Sequence, residues 1–383
     1  MTNSCVEEHN AATNEFEDAI VIEASITNEF KFQKILLSRT HKLEENNSNT
    51  ETGATVRVTS NSNDTYTFHE TDPGVYESDL QFSALPNIRY QLFVSASNGR
   101  EYTSQNTELT SSSSVIENVY AIKETSEDGV DGVGVYLDSF DPENSSKYYG
   151  YEFEETYQII APNWIPNTII RNPADTIIIN NVHLHPAFLT IPKTIEDGEC
   201  YKTVNSFGKL VTTTDLLSED RISKFKITFF SKIDFRISSR YSILIKQYTQ
   251  SAEAFNFHKT LSNFSSSESL LSQNQPGFLN GNITSTSNPN EKVIGYFEVS
   301  SMTQKRIFLN RSDFFDPFPW KCEIATLSDL GFSPSIIKAL RLKYAIYFSG
   351  IENNTQPTLF TYPRACGDCT VLGSNIKPNF WID

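Results

Sequence analysis

Apolar and polar residues alternate along most of this chain with the period of two that marks strands carrying one buried face. Ile20, Ile22, Ala24 and Ile26 share one parity, and shorter runs follow at Ile35 and Leu37, Val56 and Val58, and Tyr90, Leu92 and Val94. Asp72-Pro-Gly-Val75 and Ser97-Asn-Gly99 stand between runs, where Pro and Gly supply the dihedrals of tight turns. Short strands at such spacing predict a small β-sandwich over 19–112, and Ser111-Ser-Ser-Ser114 marks its joint to a second domain, 113–383.

Beyond the joint, Val133-Gly-Val-Tyr-Leu137 and Tyr148 to Ile160 read as strands, with at least one more between Ile169 and Leu189. From Phe225 to Ile245 the apolar residues fall on odd positions, which predicts one buried face over two strands or one bent one. The even positions carry Lys224, Lys226, Lys232, Arg236, Arg240 and Lys246. That basic face is either the ordinary solvent side of a sheet, relieved by cross-strand acids, or a platform for an anionic ligand.

The period changes once. After the strand Arg240–Tyr248, Ser251 can cap a helix, Glu253 suits its first turn, and Ala254, Phe257, Leu261 and Phe264 form one face at spacings of three and four. This predicts a helix near 251–267, too short to hold alone and therefore docked on a sheet. A polar loop, Ser272 to Lys292, then leads to a strand starting at Val293. Its length exceeds what joining a helix to a strand requires, so Phe278 and Leu279, apolar within it, are candidates for a partner surface. The fold class is mainly β: an N-terminal sandwich, then a larger β-rich domain with one inserted α-helix.

Composition narrows the function. A formal charge of -16 excludes nucleic acid as the expected partner, because phosphate binding depends on clustered Lys and Arg. No run of about eighteen apolar residues would span a bilayer as a helix. Residues 1–18 are polar and acidic without periodicity, which predicts a flexible tether.

Several stretches in order, Ser242-Ile-Leu-Ile-Lys-Gln-Tyr248, Ala252-Glu-Ala-Phe255, Gly281-Asn-Ile283, Asn288-Pro-Asn-Glu291, Val293-Ile-Gly-Tyr-Phe297 and Lys305-Arg-Ile-Phe308, resemble the core of the DUF4249 family of Bacteroidota surface lipoproteins. Cys366-Gly-Asp-Cys369 with Lys377-Pro-Asn-Phe-Trp381 resembles the same family's closing motif. The resemblance implies that Gly53-Ala-Thr-Val-Arg-Val58 and Pro73-Gly-Val-Tyr76 belong to a transthyretin-like or Ig-like sandwich. It implies that Cys5 carries a lipid after signal cleavage, with Glu7 and Glu8 directing the protein to the outer face of the outer membrane. It also implies partnership with a TonB-dependent transporter in nutrient uptake, the ligand being an unidentified glycan or peptide. A stand-alone surface adhesin or carbohydrate-binding protein is the alternative.

With Cys5 set aside, Cys200, Cys322, Cys366 and Cys369 are even in number, as expected of structural disulfides in an exported chain. Three pairings are open; a bond from Cys366 or Cys369 to Cys200 would tie down the tail. His183 and His185 could face one metal, but no third ligand is signalled, and Asp128-Gly-Val-Asp-Gly132 reads as turn chemistry. No nucleophile elbow, zinc-protease motif or phosphate loop is present. The expectation is a non-enzyme without cofactor or metal. Trp164, Trp320, Trp381, Tyr148, Tyr149 and Tyr151 are as readily explained by packing as by sugar stacking.

Overall fold

The computed structural model describes residues 19–40, 49–110, 114–171, 188–266, 279, 281–323, 325–326, 344–349 and 358–382. Cys5, His183, His185 and Phe278 lie outside them. The first part of the chain supplies β1 (Ile20–Thr27), β2 (Lys34–Arg39), β3 (Asn49–Thr50), β4 (Thr55–Ser60), β5 (Thr65–Asp72), β6 (Val75–Ser78), β7 (Arg89–Ser95), β8 (Glu101–Ser104) and β9 (Thr107–Glu108). Their inward residues, among them Ile22, Ile26, Val58, Tyr76 and Leu92, form one apolar core.

The second part supplies β10 (Val115–Thr125), β11 (Asp131–Phe140), β12 (Tyr148–Ile160), β13 (Asn167–Arg171), β14 (Phe188–Pro192), β15 (Glu199–Asn205), β16 (Leu210–Thr213), β17 (Arg221–Ser231), β18 (Arg240–Gln250), α1 (Ala252–Ser266), β19 (Ile283–Ser285) and β20 (Val293–Asn310). Near the C-terminus come β21 (Ala325–Thr326), β22 (Tyr344–Ser349) and β23 (Thr358–Pro363). A second core forms around Val135, Tyr151, Ile159, Phe230, Tyr241, Ile243 and Ile245. The protein is thus mainly β with a single helix among the described residues.

The odd parity expected from Phe225 to Ile245 holds only in part. Register slips between β11 and β17, with Lys224 in the left-handed region at φ 51°, change which parity faces inward. Ile222 and Phe230 are consequently buried along with Ile227. A bulge adds one residue to a strand and flips every side chain after it. Between β17 and β18 the chain makes a short 3-10 turn, Phe235–Ile237, and Ile233 is exposed.

One strand joins the two cores. β20 runs for 18 residues; its first half, Val293 to Ser300, pairs in parallel with β1, and its second half, Ser301 to Asn310, pairs antiparallel with β18. The neighbouring β19 pairs with β8, so the later part of the expected Ser272–Lys292 loop is a strand docked on the first core. Ile283, Val293, Phe297 and Val299 are buried in that first core, although they lie far beyond residue 112 in sequence.

The helix forms where the periodicity placed it. Ser251 Oγ accepts a hydrogen bond from the Ala254 N–H at 3.1 Å, the N-cap bond that satisfies an otherwise orphaned amide. Its buried face is Ala254, Phe255 and Phe257, while Leu261 is 41% exposed. Ring partners explain the difference: Phe255 lies 5.1 Å from Tyr148 and Phe257 lies 5.4 Å from Tyr296, so the N-terminal turns carry the docking. The side chain of Phe264 lies outside the described residues.

Cys200 is bonded to Cys369 and Cys322 to Cys366. The first bond holds the segment that continues into the tail, where Trp381 packs on Tyr201 at 5.0 Å and on Phe308 at 5.6 Å. Non-reducing peptide mapping is expected to recover these two pairs, and loss of Cys200–Cys369 in a Cys200→Ala, Cys369→Ala variant is expected to cost about 2–5 kcal/mol.

Candidate functional site

The residues carrying the most unusual chemistry gather where α1 covers the junction of the two cores. Glu298, in the middle of β20, is 3% exposed. Its Oε2 accepts from Lys209 Nζ at 2.6 Å and lies 3.1 Å from His258 Nε2 of α1. Its Oε1 accepts from Ser300 Oγ at 2.6 Å and from Gln250 Nε2 at 3.1 Å. Strand alternation turns Glu298 away from the core that Phe297 and Val299 enter, and the helix covers that face, bringing His258 over it. Lys209, just before β16, arrives from the side, its ammonium 4.6 Å from the centre of the Tyr248 ring, an attractive cation–π distance.

Electrostatics matches this geometry. Burial alone would raise the Glu298 carboxyl, but the Lys209 ammonium and then His258 hold it well below the usual carboxylate range. Burial would lower Lys209, yet the charges of Glu298 and Glu152 leave it raised. Tyr248 donates to Glu152 at 2.9 Å and is pushed far up by burial and then by that carboxylate. Glu23 on β1 is raised, first by desolvation and then by Glu152, with His258 opposing.

Every acceptor direction of Glu298 is therefore engaged, and its partners come from α1, β18, β20 and the approach to β16. A carboxylate so saturated has no lone pair poised for proton abstraction. Its role is to fasten the helix and three strand regions together. Among the described residues no group of three or more His, Cys, Asp and Glu side chains is arranged to hold a metal ion. No described helix is long and apolar enough to cross a membrane.

The stretch from Gly281 to Glu291 fastens the first half of β20 to the first core. Asn282 Oδ1 accepts from the Phe297 N–H at 2.7 Å and its Nδ2 donates to the Phe297 carbonyl at 2.9 Å, so one side-chain amide takes the place of a neighbouring strand. Glu291 accepts from Tyr102 at 2.7 Å, Arg100 at 2.9 Å and Ser285 at 2.8 Å. Burial and then Glu291 push the Tyr102 phenol up to about 12. Leu279 is half-buried at the edge of this fastened region.

The basic positions of the second core are distributed among acids and carbonyls. Lys226 pairs with Glu124 at 2.8 Å, Arg236 with Glu155 at 3.1 Å and Asp234 at 2.8 Å, and Arg240 Nε donates to the Ile382 carbonyl at 2.7 Å. These contacts fit the solvent face of a sheet. The aromatic candidates are largely packing residues: Tyr149, Tyr151 and Trp381 are buried, Tyr148 packs on α1, and Trp320 stands edge-on to Phe235. The Asp128–Gly132 segment makes the turn between β10 and β11, with Gly129 at φ 77°.

A second feature lies on the outside of the first core. Phe30 is 71% exposed, Phe32 42%, Leu80 74% and Leu85 54%. They lie on two adjoining segments, 27–33 and 78–85, which run antiparallel, with Lys31 paired to Phe82 and the Ala84 N–H donating to the Thr27 carbonyl. In the sequence, Phe30, Phe32 and Leu36 continue one parity while Ile35 and Leu37 hold the other.

These features define a two-core β protein, spliced by one long strand and one helix, with its most distinctive residues used for fastening. The chain belongs to the family described as a domain of unknown function, DUF4249, which matches residues 6–306. No curated protein matches the sequence. Among solved structures, a crystal structure of a DUF4785 family protein from Legionella pneumophila is similar at 7% identity and a TM-score of 0.19, covering 59% of this chain and 50% of that one. At that level the likeness carries no argument.

Proposed function

We propose that this protein is a surface-facing, lipid-anchored accessory subunit of a TonB-dependent outer-membrane transporter, serving uptake of a glycan or peptide. Cys5 is the attachment point in this reading, and residues 6–18 are the tether. The observation that carries it is the apolar stripe Phe30, Phe32, Leu80 and Leu85, displayed on a body whose two cores share a strand. Four large apolar side chains on adjoining segments are more than scattered surface exposure, and a rigid support suits a specific interface of about 1,000 Å² or more. Such a surface serves binding, and the saturated carboxylates at the junction serve support.

Affinity capture from detergent-solubilised outer membranes of the native organism tests this. The wild-type protein is expected to retain a TonB-dependent transporter. A Phe30→Asp, Leu80→Asp variant with an unchanged unfolding midpoint is expected to lose it. A wild-type capture without any such transporter contradicts the partnership and leaves the adhesin or carbohydrate-binding alternative. A complex that survives in the folded variant contradicts the assigned surface.

A further inference from the structure

The long sheet ends in a strand whose outer edge is open along part of its length. β12 pairs on one side with β18 and on the other with β15 and β16, so β15 closes the sheet at the end away from β1 and β2. The backbone groups of an antiparallel strand face its two edges in alternation. Along β15 the even positions face β12: the Ala161 N–H donates to the Gly198 carbonyl at 2.9 Å, and the Ser206 N–H donates to the Phe153 carbonyl at 2.7 Å. The odd positions therefore face outward.

The C-terminal segment covers the start of this edge. The Cys369 N–H donates to the Asp197 carbonyl at 2.8 Å, and Tyr201 exchanges two backbone bonds with Ser374 at 2.7 and 2.8 Å. There the cover stops. Among the described residues nothing bonds the backbone N–H or carbonyl of Thr203 or Asn205 on the outer side, and Lys202 to Asn205 are all exposed. A short turn follows. Ser206 Oγ accepts from the Phe153 N–H at 3.1 Å and Gly208 takes φ 70°, so a turn rooted on β12 holds Phe207 98% exposed beside the open stretch.

We propose that the open edge at Thr203 and Asn205 binds an extended peptide by strand addition, with Phe207 as the apolar neighbour of one of its side chains. The two residues present two donors and two acceptors at the two-residue repeat of a strand, about 6.8 Å, the repeat at which a second strand offers its own N–H and carbonyl groups. Main-chain bonds of this kind tolerate many sequences. Lys202, exposed on the same stretch, favours a neutral or acidic peptide and keeps the edge from indiscriminate pairing. A second copy of this chain fits less well, because a formal charge of -16 makes copies repel. The free edge is also only two residues long, bounded by Ser374 and the Phe207 turn, which suits a single chain. The site stands on the geometry of β15; its place in uptake rests on the reading above, in which it makes the cargo a peptide.

Titration of the isotope-labelled protein with a capped five-residue peptide of alternating threonine and valine tests the site by magnetic resonance, with the fully N-methylated peptide as control. The amide signals of Thr203 and Asn205 are expected to shift with the first peptide and to stay in place with the second, which has no N–H to donate. Thr203→Pro removes an outward N–H and leaves the ladder to β12 intact, so it is expected to keep the unfolding midpoint and weaken binding about tenfold or more. Phe207→Ala is expected to weaken binding as well. Equal binding of the two peptides, or of the wild-type protein and either variant, overturns the proposal. So does absence of binding at millimolar peptide, and so do dimers in sedimentation that Thr203→Pro abolishes, which would give the edge to a second copy. If Thr203→Pro does not fold, the pair of peptides decides. Capture of the transporter by a protein that fails to bind the peptide would strike this site and leave the partnership standing.

Discussion

Replacing Glu298 with glutamine is expected to cost about 3–5 kcal/mol of folding stability, because it takes from the buried Lys209 ammonium the carboxylate it is bonded to. The loss arises from breaking the pair and is not the pair's net worth. A Lys209→Met, Glu298→Leu double variant, which removes both charges, is therefore expected to recover most of it. The pH dependence has a definite sign. Glu298 is held below its ordinary value in the folded protein, so its contribution is full above the unfolded-state value of about 4.3 and is lost progressively as pH falls from there through the lower folded value. Urea unfolding between neutral and acid pH measures both effects. The wild-type protein should lose stability on acidification more steeply than the double variant.

Gly295→Ala is expected to be nearly as severe. Gly295 sits at φ 149°, and a Cβ there would lie 2.1 Å from the Ile22 carbonyl oxygen, inside the parallel ladder between β1 and β20. Neither strand can move away freely: the Gly281 position is so close that a Cβ on it would stand 1.6 Å from the Gly295 oxygen. Overpacking of about 1–3 kcal/mol adds to backbone strain of about 1–3 kcal/mol. Chemical unfolding of the Gly295→Ala protein should show a loss within the sum of those ranges. Hydrogen exchange should show the amides of Ile20 to Thr27 opening first.

Much of this organisation was legible in the sequence. The alternation from Ile20 onward places β1, β2, β4 and β7, and Ser251 with the spacing behind it places α1, because both signals are local. The family motifs also point to the right region: Gly281, Asn282 and Gly295 lie against or within the first half of β20, and Glu291 ties the same stretch to Tyr102. Its geometry was not legible. Nothing local in Val293–Ser300 says that this half-strand pairs in parallel with residues 20–27, and a lone Glu298 between Phe297 and Val299 reads as an outward residue. It is buried because helix and strands from distant parts of the chain bring Lys209, His258 and Gln250 to it. The bulges of β17 were hidden for a similar reason, since register slips depend on the partner strand. The Phe30–Phe32 stripe was visible as apolar residues on both parities, and required only that the outward parity be weighed as well as the inward one.

The central claim is that β20 and α1 fuse the two cores into one body that presents the apolar stripe on a fixed support. Native-state hydrogen exchange across a urea series tests it most directly, by following the amides of β1, β18 and β20. If the account holds, these three strands exchange with one common opening free energy, and Glu298→Gln lowers it for all three together. If the amides of β1 and β7 open at a lower free energy while those of β18 stay protected, and Glu298→Gln changes only one group, the cores are independent units and the account is contradicted.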